Sequence, residues 1–125
     1  MDTIKRFEDI QAWQVARELT RRIYQTAASG SFAREFTLRD QICRAALSPM
    51  SNIAEGFGRN GDREFVNFLG YASGSAHEVQ SQLYAALDLG HITEEEFSTL
   101  YALVDETKGK TGGFIHYLKT NTRTK

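Results

Sequence analysis

Apolar residues recur along this chain at intervals of three and four, which lines them up on one face of an α-helix. Ala12, Ala16, Leu19 and Ile23 follow that rule, with Trp13 and Val15 widening the stripe. They predict a first helix from near Asp9 to Ala27, which Ser29-Gly30-Ser31 then interrupts. Thr37 is placed to cap a second helix, whose inner face carries Leu38, Ile42 and Ala45 and stays in phase past Pro49 to Ile53. Phe65, Leu69, Ala72, Ala76, Val79, Leu83 and Ala86 hold the spacing without a slip. A third helix should therefore start between Asn60 and Asp62 and stop before Gly90, a residue suited to the left-handed position after a helix. The fourth start is the sharpest. Thr93 can cap it while Glu96 reaches back to the capping amide, Ile92 and Phe97 occupy the staple positions, and Glu94 and Glu95 face the positive end of the dipole. Phe97, Leu100, Val104, Thr107, Thr111, Phe114 and Leu118 continue that helix, and Gly109, Gly112 and Gly113 weaken its second half.

No stretch of useful length alternates as a strand would. Four amphipathic helices with short connections predict an all-α fold, an antiparallel up-down-up-down four-helix bundle. Pro49 has no amide to offer the Ala45 carbonyl, so the second helix should be proline-kinked; a fresh start capped by Ser48 is the alternative. Residues 1–120 should form one domain and residues 121–125 a flexible basic tail. Phe68, Tyr71, Tyr101 and Leu103 extend the apolar faces beyond a minimal seam, so either a second subunit covers them or the core is wide. Gly70 and Gly74, with Ser73 and Ser75, suit the close approach of another backbone better than ligand recognition.

Composition adds boundaries. The 125 residues are 41% hydrophobic and 25% charged, with a net charge of −1. That size supports a core without metal or disulfides. The single cysteine, the lack of a leader pattern at the N-terminus and the lack of an apolar run near the roughly 20 residues that cross a bilayer imply a cytoplasmic protein with no membrane role. The charge is unevenly spread: seven acids and no Lys or Arg lie between Ala76 and Glu106, and the last nineteen residues carry five bases and no acid. Such alternation suits contacts between subunits or a local polyanion contact. Arg17, Arg21 and Arg22 form the best helical basic patch, with Lys119, Arg123 and Lys125 in the tail and Arg59 and Arg63 around the 56–62 turn. These are the candidate contacts to RNA or DNA phosphates, with Tyr24 and Tyr117 as candidate stacking rings.

Reaction chemistry is sparse. Cys43 has a cationic neighbour in Arg44 but no histidine beside it, so it reads as an inert, partly buried thiol. His77, His91 and His116 are scattered, and no Glu-x-x-His pair of the kind that builds metal sites in helical bundles is present. Gly56-Phe57-Gly58 follows a helix and lacks the Lys-Ser/Thr pair of a phosphate-gripping loop. The expectation is no cofactor, no metal and no enzymatic activity.

One block is more specific. Phe7-Glu8-Asp9 with Trp13, Ile23-Tyr24, Leu38 with Asp40-Gln41-Ile42, Arg44-Ala45-Ala46, Ser51-Asn52-Ile53-Ala54-Glu55-Gly56, Phe68-Leu69, Ser73-Gly74-Ser75-Ala76, Glu78, Leu87-Gly90 and Leu118-Lys119 follow in order. In this the chain resembles the bacterial four-helix-bundle family that includes the proteins encoded in intervening sequences of large-subunit ribosomal RNA. It is similar, more distantly, to the accessory proteins of diversity-generating retroelements, which associate with a reverse transcriptase and nucleic acid. The resemblance implies an antiparallel bundle that assembles as a cyclic homopentamer. Arg44, Pro49, Asn52, Glu55 and Gly56 are its structural signature here, in a context, Leu47-Ser48-Pro49-Met50, where the family often has isoleucine or valine before the proline-like position. A buried lone carboxylate is costly, so Glu55 should meet a basic partner, Arg44 or Arg59, from another subunit or the returning chain. The expected function is a non-enzymatic, pentameric scaffold that recruits a protein partner. The alternative is an RNA- or DNA-binding accessory protein in a ribonucleoprotein or reverse-transcriptase-related complex.

Overall fold

The computed structural model describes residues 4–120, and these are all helical or connecting, with no strand among the described residues. Four α-helices account for most of them: α1 (Gln11–Ala27), α2 (Phe36–Phe57), α3 (Asp62–Asp88) and α4 (Glu94–Thr120). Short 3-10 turns at Phe7–Asp9 and Gly30–Arg34 lead into α1 and α2. Each helix packs on the next in sequence and α4 returns to α1, so the four form a square bundle of alternating direction. The α1–α2 and α3–α4 connections lie at one end, here the upper end. The α2–α3 connection, the start of α1 and the end of α4 lie at the lower end.

The stripes read from sequence face the interior. All seven α3 positions are buried, as are Ala12, Ala16, Leu19 and Ile23 of α1, and Leu100, Val104 and Leu118 of α4. They divide into an upper cluster around Leu19, Ile42, Leu83 and Val104 and a lower one around Ala12, Ile53, Phe65 and Leu69. Thr107 and Thr111 also lie in the interior, and their hydroxyls donate to the carbonyls of Leu103 and Thr107 one turn back, which removes the penalty of burying them.

The helix ends agree with sequence logic in two places and depart from it in one. Gly90 takes φ +78°, and the amides of His91 and Gly90 donate to the carbonyls of Ala86 and Leu87, the paired bonds of a Schellman stop. At α4 the Thr93 hydroxyl accepts from the Glu96 amide at 3.0 Å, while the Glu96 carboxylate accepts from the Thr93 amide at 2.8 Å. Ile92 is buried in the cluster against which Phe97 packs, completing the staple. Thr37, by contrast, lies inside α2 and caps nothing. The preceding 3-10 turn feeds straight into the helix, and the first bond already runs from the Arg39 amide to the Glu35 carbonyl. α2 runs unbroken through Pro49, the reading favoured by the continuous apolar phase over a fresh start at Ser48.

The neighbours of Pro49 carry the adjustments that a helix-interior proline requires. Its missing amide removes one bond of the ladder in this turn. Thr20 of α1 lies within 2.9 Å of the carbonyls of both Ala16 and Ala46, and its one proton is shared between the two helices. Asn52 donates its side-chain amide to the Ser48 carbonyl at 3.0 Å and to the Ser48 hydroxyl at 2.8 Å. Ser75 of α3 donates to the same hydroxyl at 2.7 Å, so polar bonds on two sides brace the proline turn.

Candidate functional site

The signature residues of α2 divide into packing and surface roles. Gly56 is buried where α2 meets α3, and a Cβ there would sit 2.7 Å from Phe68 Cβ and 2.8 Å from Phe65 Cδ1. Only glycine allows that approach. Asn52 belongs to the proline brace. Glu55 is exposed rather than buried and meets Arg59, one turn on in its own chain, at 2.8 Å. Arg59 also lies 4.0 Å from Glu64 and 4.9 Å above the Phe68 ring, so it links α2 to α3 across the turn. Arg44 is exposed and has no acidic partner among the described residues.

The cations marked as phosphate contacts do not form one patch. Arg21 is hydrogen-bonded to Glu18, which also lies 3.9 Å from Arg22. The Arg21 hydrogen bond holds the Glu18 carboxyl below its ordinary range. Arg17 stands 5.7 Å over the Trp13 ring, with no ion pair among the described residues. Arg59 is engaged as described. Arg63 and Lys119 are exposed at the lower end, with no ion pair among the described residues. Arg123 and Lys125 lie outside the described residues. Tyr117 stacks on Phe114, with ring centroids 6.0 Å apart, and packs against the lower cluster.

Elements of catalytic or metal chemistry stay apart. Burial pushes the Cys43 thiol above its ordinary range, with Arg39 opposing and Asp40 adding to the shift, which suits an unreactive thiol. His91 is tied to Ser31 at 2.8 Å, stacks on Phe32 and joins the two upper connections. Among the described residues no three His, Cys, Asp or Glu side chains are grouped to hold a metal ion. No described helix is long and apolar enough to cross a membrane.

What the surface does offer is two unlike outer walls. The α1–α2 wall carries a groove of about 420 Å³ lined by Tyr24, Ala28, Arg39, Cys43, Arg44 and Leu47. Below it Trp13, Arg17, Arg21 and Met50 line a second groove of about 500 Å³. Tyr24, Phe36 and Leu47 on this side are 42–62% exposed. The opposite, α3–α4 wall carries Tyr84, half exposed and supported by Phe97 and Tyr101 with centroids 4.9 and 5.9 Å away. Below that ring Gln80 donates to Asp105 at 2.8 Å and accepts from Lys108 at 2.7 Å, a polar clasp between α3 and α4. Lower still, Gly70 and Gly74 face open space, with nothing within 4 Å of where a Cβ would stand. The clasp and the Ser48–Ser75 bond had no signal in the sequence, since each joins residues more than twenty positions apart whose pairing depends on helix register.

A solved crystal structure of a protein with unknown function from the S23 ribosomal protein family, from Bacteroides thetaiotaomicron, is similar with a TM-score of 0.76. It is 23% identical over 83% of this chain and 97% of that one, a likeness that shows the fold. Comparison with curated proteins gives no match. The model of one family matches residues 8–113, nearly the whole bundle and every signature residue of α2. The chain belongs to the 23S rRNA-intervening sequence protein family.

Proposed function

We propose that this protein is a non-enzymatic scaffold that self-associates into a ring of five copies and presents the assembled surface to a protein partner in the cytoplasm. The observation that carries this reading is the exposed apolar surface. Tyr24, Phe36, Leu47, Tyr71, Tyr84 and Leu89 are each more than two-fifths exposed in a chain whose core is otherwise filled. Tyr24 and Leu47 line one groove on the α1–α2 wall, and Tyr84 stands against Phe97 and Tyr101 on the α3–α4 wall; contiguous apolar surface of this kind marks contact sites more often than isolated exposed residues do. The open glycines of α3 support it, because Gly70 and Gly74 weaken a helix without serving any contact inside the chain. The scattered histidines and the unactivated thiol support the absence of catalysis. Light-scattering mass measured across a concentration series tests the reading. A species of five 14.1 kDa chains, about 70 kDa, is expected. A compact monomer at every concentration would overturn it.

A second reading, an RNA- or DNA-binding accessory protein in a ribonucleoprotein or reverse-transcriptase-related complex, draws on one observation. Arg17, Arg63 and Lys119 keep their charges free of acidic partners among the described residues. Three phosphate contacts give a salt-dependent affinity, with a logarithmic slope of about −2 to −3. Titration of an RNA oligonucleotide at two salt concentrations, with wild type and with R17E/R63E/K119E, tests it. Equal binding by both proteins would discard this site.

A further inference from the structure

We infer that the upper α1–α2 groove of one copy receives the Tyr84 end of the α3–α4 wall of the next, a head-to-tail contact between two different surfaces. The inference rests on the self-association proposed above and specifies which faces meet.

Three observations point the same way. The first is charge. Residues 11–57, which form α1 and α2, carry six basic and four acidic side chains, whereas residues 62–120, which form α3 and α4, carry four basic and nine acidic ones. Because these hairpins make opposite walls of a square bundle, the molecule is positive on one side and negative on the other. Two copies stacked in the same sense bring unlike walls together, and a mirror-like pairing of identical walls sets like charges against each other.

The second is shape. The upper groove has apolar lining from Tyr24, Ala27, Cys43 and Leu47, and Arg39, Asp40 and Arg44 stand at its rim; Asp40 pairs with Arg39 at 3.1 Å, which leaves Arg44 as the rim charge with no ion pair among the described residues. On the other wall Tyr84 is 51% exposed yet held against Phe97 and Tyr101, so it is a projecting ring with little freedom to lose on contact. Tyrosines held in this way are typical anchors of interfaces. Asp88, one turn beyond Tyr84, and Glu94, in the first turn of α4, flank it, and neither has an ion pair among the described residues. Arg44 likewise lacks an acidic partner there.

The third is level. The groove lies at the C-terminal end of α1, and Tyr84, Asp88 and Glu94 lie at the α3–α4 connection, both at the upper end of the bundle. Rotation about an axis running along the helices therefore carries one feature opposite the other without a shift along the bundle. A contact between two different surfaces repeated by such a rotation closes into a ring of five when each step turns by a fifth of a full turn, and runs on as an open filament when it does not.

Sedimentation equilibrium of Arg44→Glu, Asp88→Lys, Tyr84→Ala and the double variant R44E/D88K tests the pairing, with thermal melts confirming that each folds. Arg44 and Asp88 are both exposed, so their reversal leaves the core untouched. Each single variant should weaken self-association about tenfold or more, and the double variant should recover most of the loss. Single variants that assemble as tightly as wild type, or a double variant as weak as the singles, would overturn the pairing while leaving self-association intact. The same holds if assembly ignores both reversals and R44E instead loses binding to an RNA oligonucleotide, which would give the groove to nucleic acid. A wild type that stays monomeric removes the self-association on which the pairing rests, and the pairing with it.

Discussion

Gly56 and the pair Gly70 and Gly74 have the same side chain and opposite surroundings, and this difference has measurable consequences. At Gly56 an added methyl meets a backbone-proximal carbon of Phe68, which cannot swing aside as a flexible side-chain end would. Gly56→Ala should therefore destabilise the fold by about 1–2 kcal/mol in a denaturant titration, overpacking outweighing the better helix propensity. Gly70→Ala and Gly74→Ala meet nothing in their own chain. Each should raise the stability of the isolated monomer by up to about 1 kcal/mol. If another copy approaches that face, each should also weaken assembly, so melting at low and high protein concentration should respond in opposite directions. Cys43 offers a simpler check. Since burial raises its thiol, its reaction with a disulfide reagent near pH 8 should be slower than that of a free cysteine. A faster reaction would restore it as a candidate nucleophile.

Helices were legible where a local rule acts alone. The capping box at Thr93 and Glu96 uses residues three apart, and the stop at Gly90 needs only one residue with positive φ. Thr93→Ala should accordingly cost about 1 kcal/mol in thermal unfolding, through loss of the cap at α4. The start of α2 lies before Thr37, a capping-type residue, because the turn Gly30–Arg34 sets the geometry upstream of it. Pro49 was identified as the special point of α2, but the bonds that brace it come from Thr20 and Ser75 on other helices. Candidate surface residues were the least legible. Arg21 and Arg22 look free in a sequence, yet both lie near Glu18, because a spacing of three or four along a helix pairs them; Arg59, a candidate partner of Glu55 from the sequence, meets it along the same helix.

At the scale of the whole molecule, the antiparallel order puts a net positive hairpin opposite a net negative one and leaves apolar groups exposed on both. Assembly by unlike walls should also be sensitive to salt, because exposed charges are screened over about 8–10 Å at ordinary ionic strength. Raising salt from 50 to 500 mM should weaken the complex without lowering the melting temperature of the dilute monomer. The most direct test asks whether another copy covers the apolar groups left outside. Hydroxyl-radical footprinting across a concentration series reads the exposure of each side chain. Tyr24, Leu47 and Tyr84 should lose reactivity together as concentration rises, in step with the growth in mass. Unchanged labelling of all three at concentrations where the protein is fully assembled would show that these walls face water and that assembly, if it occurs, is built elsewhere.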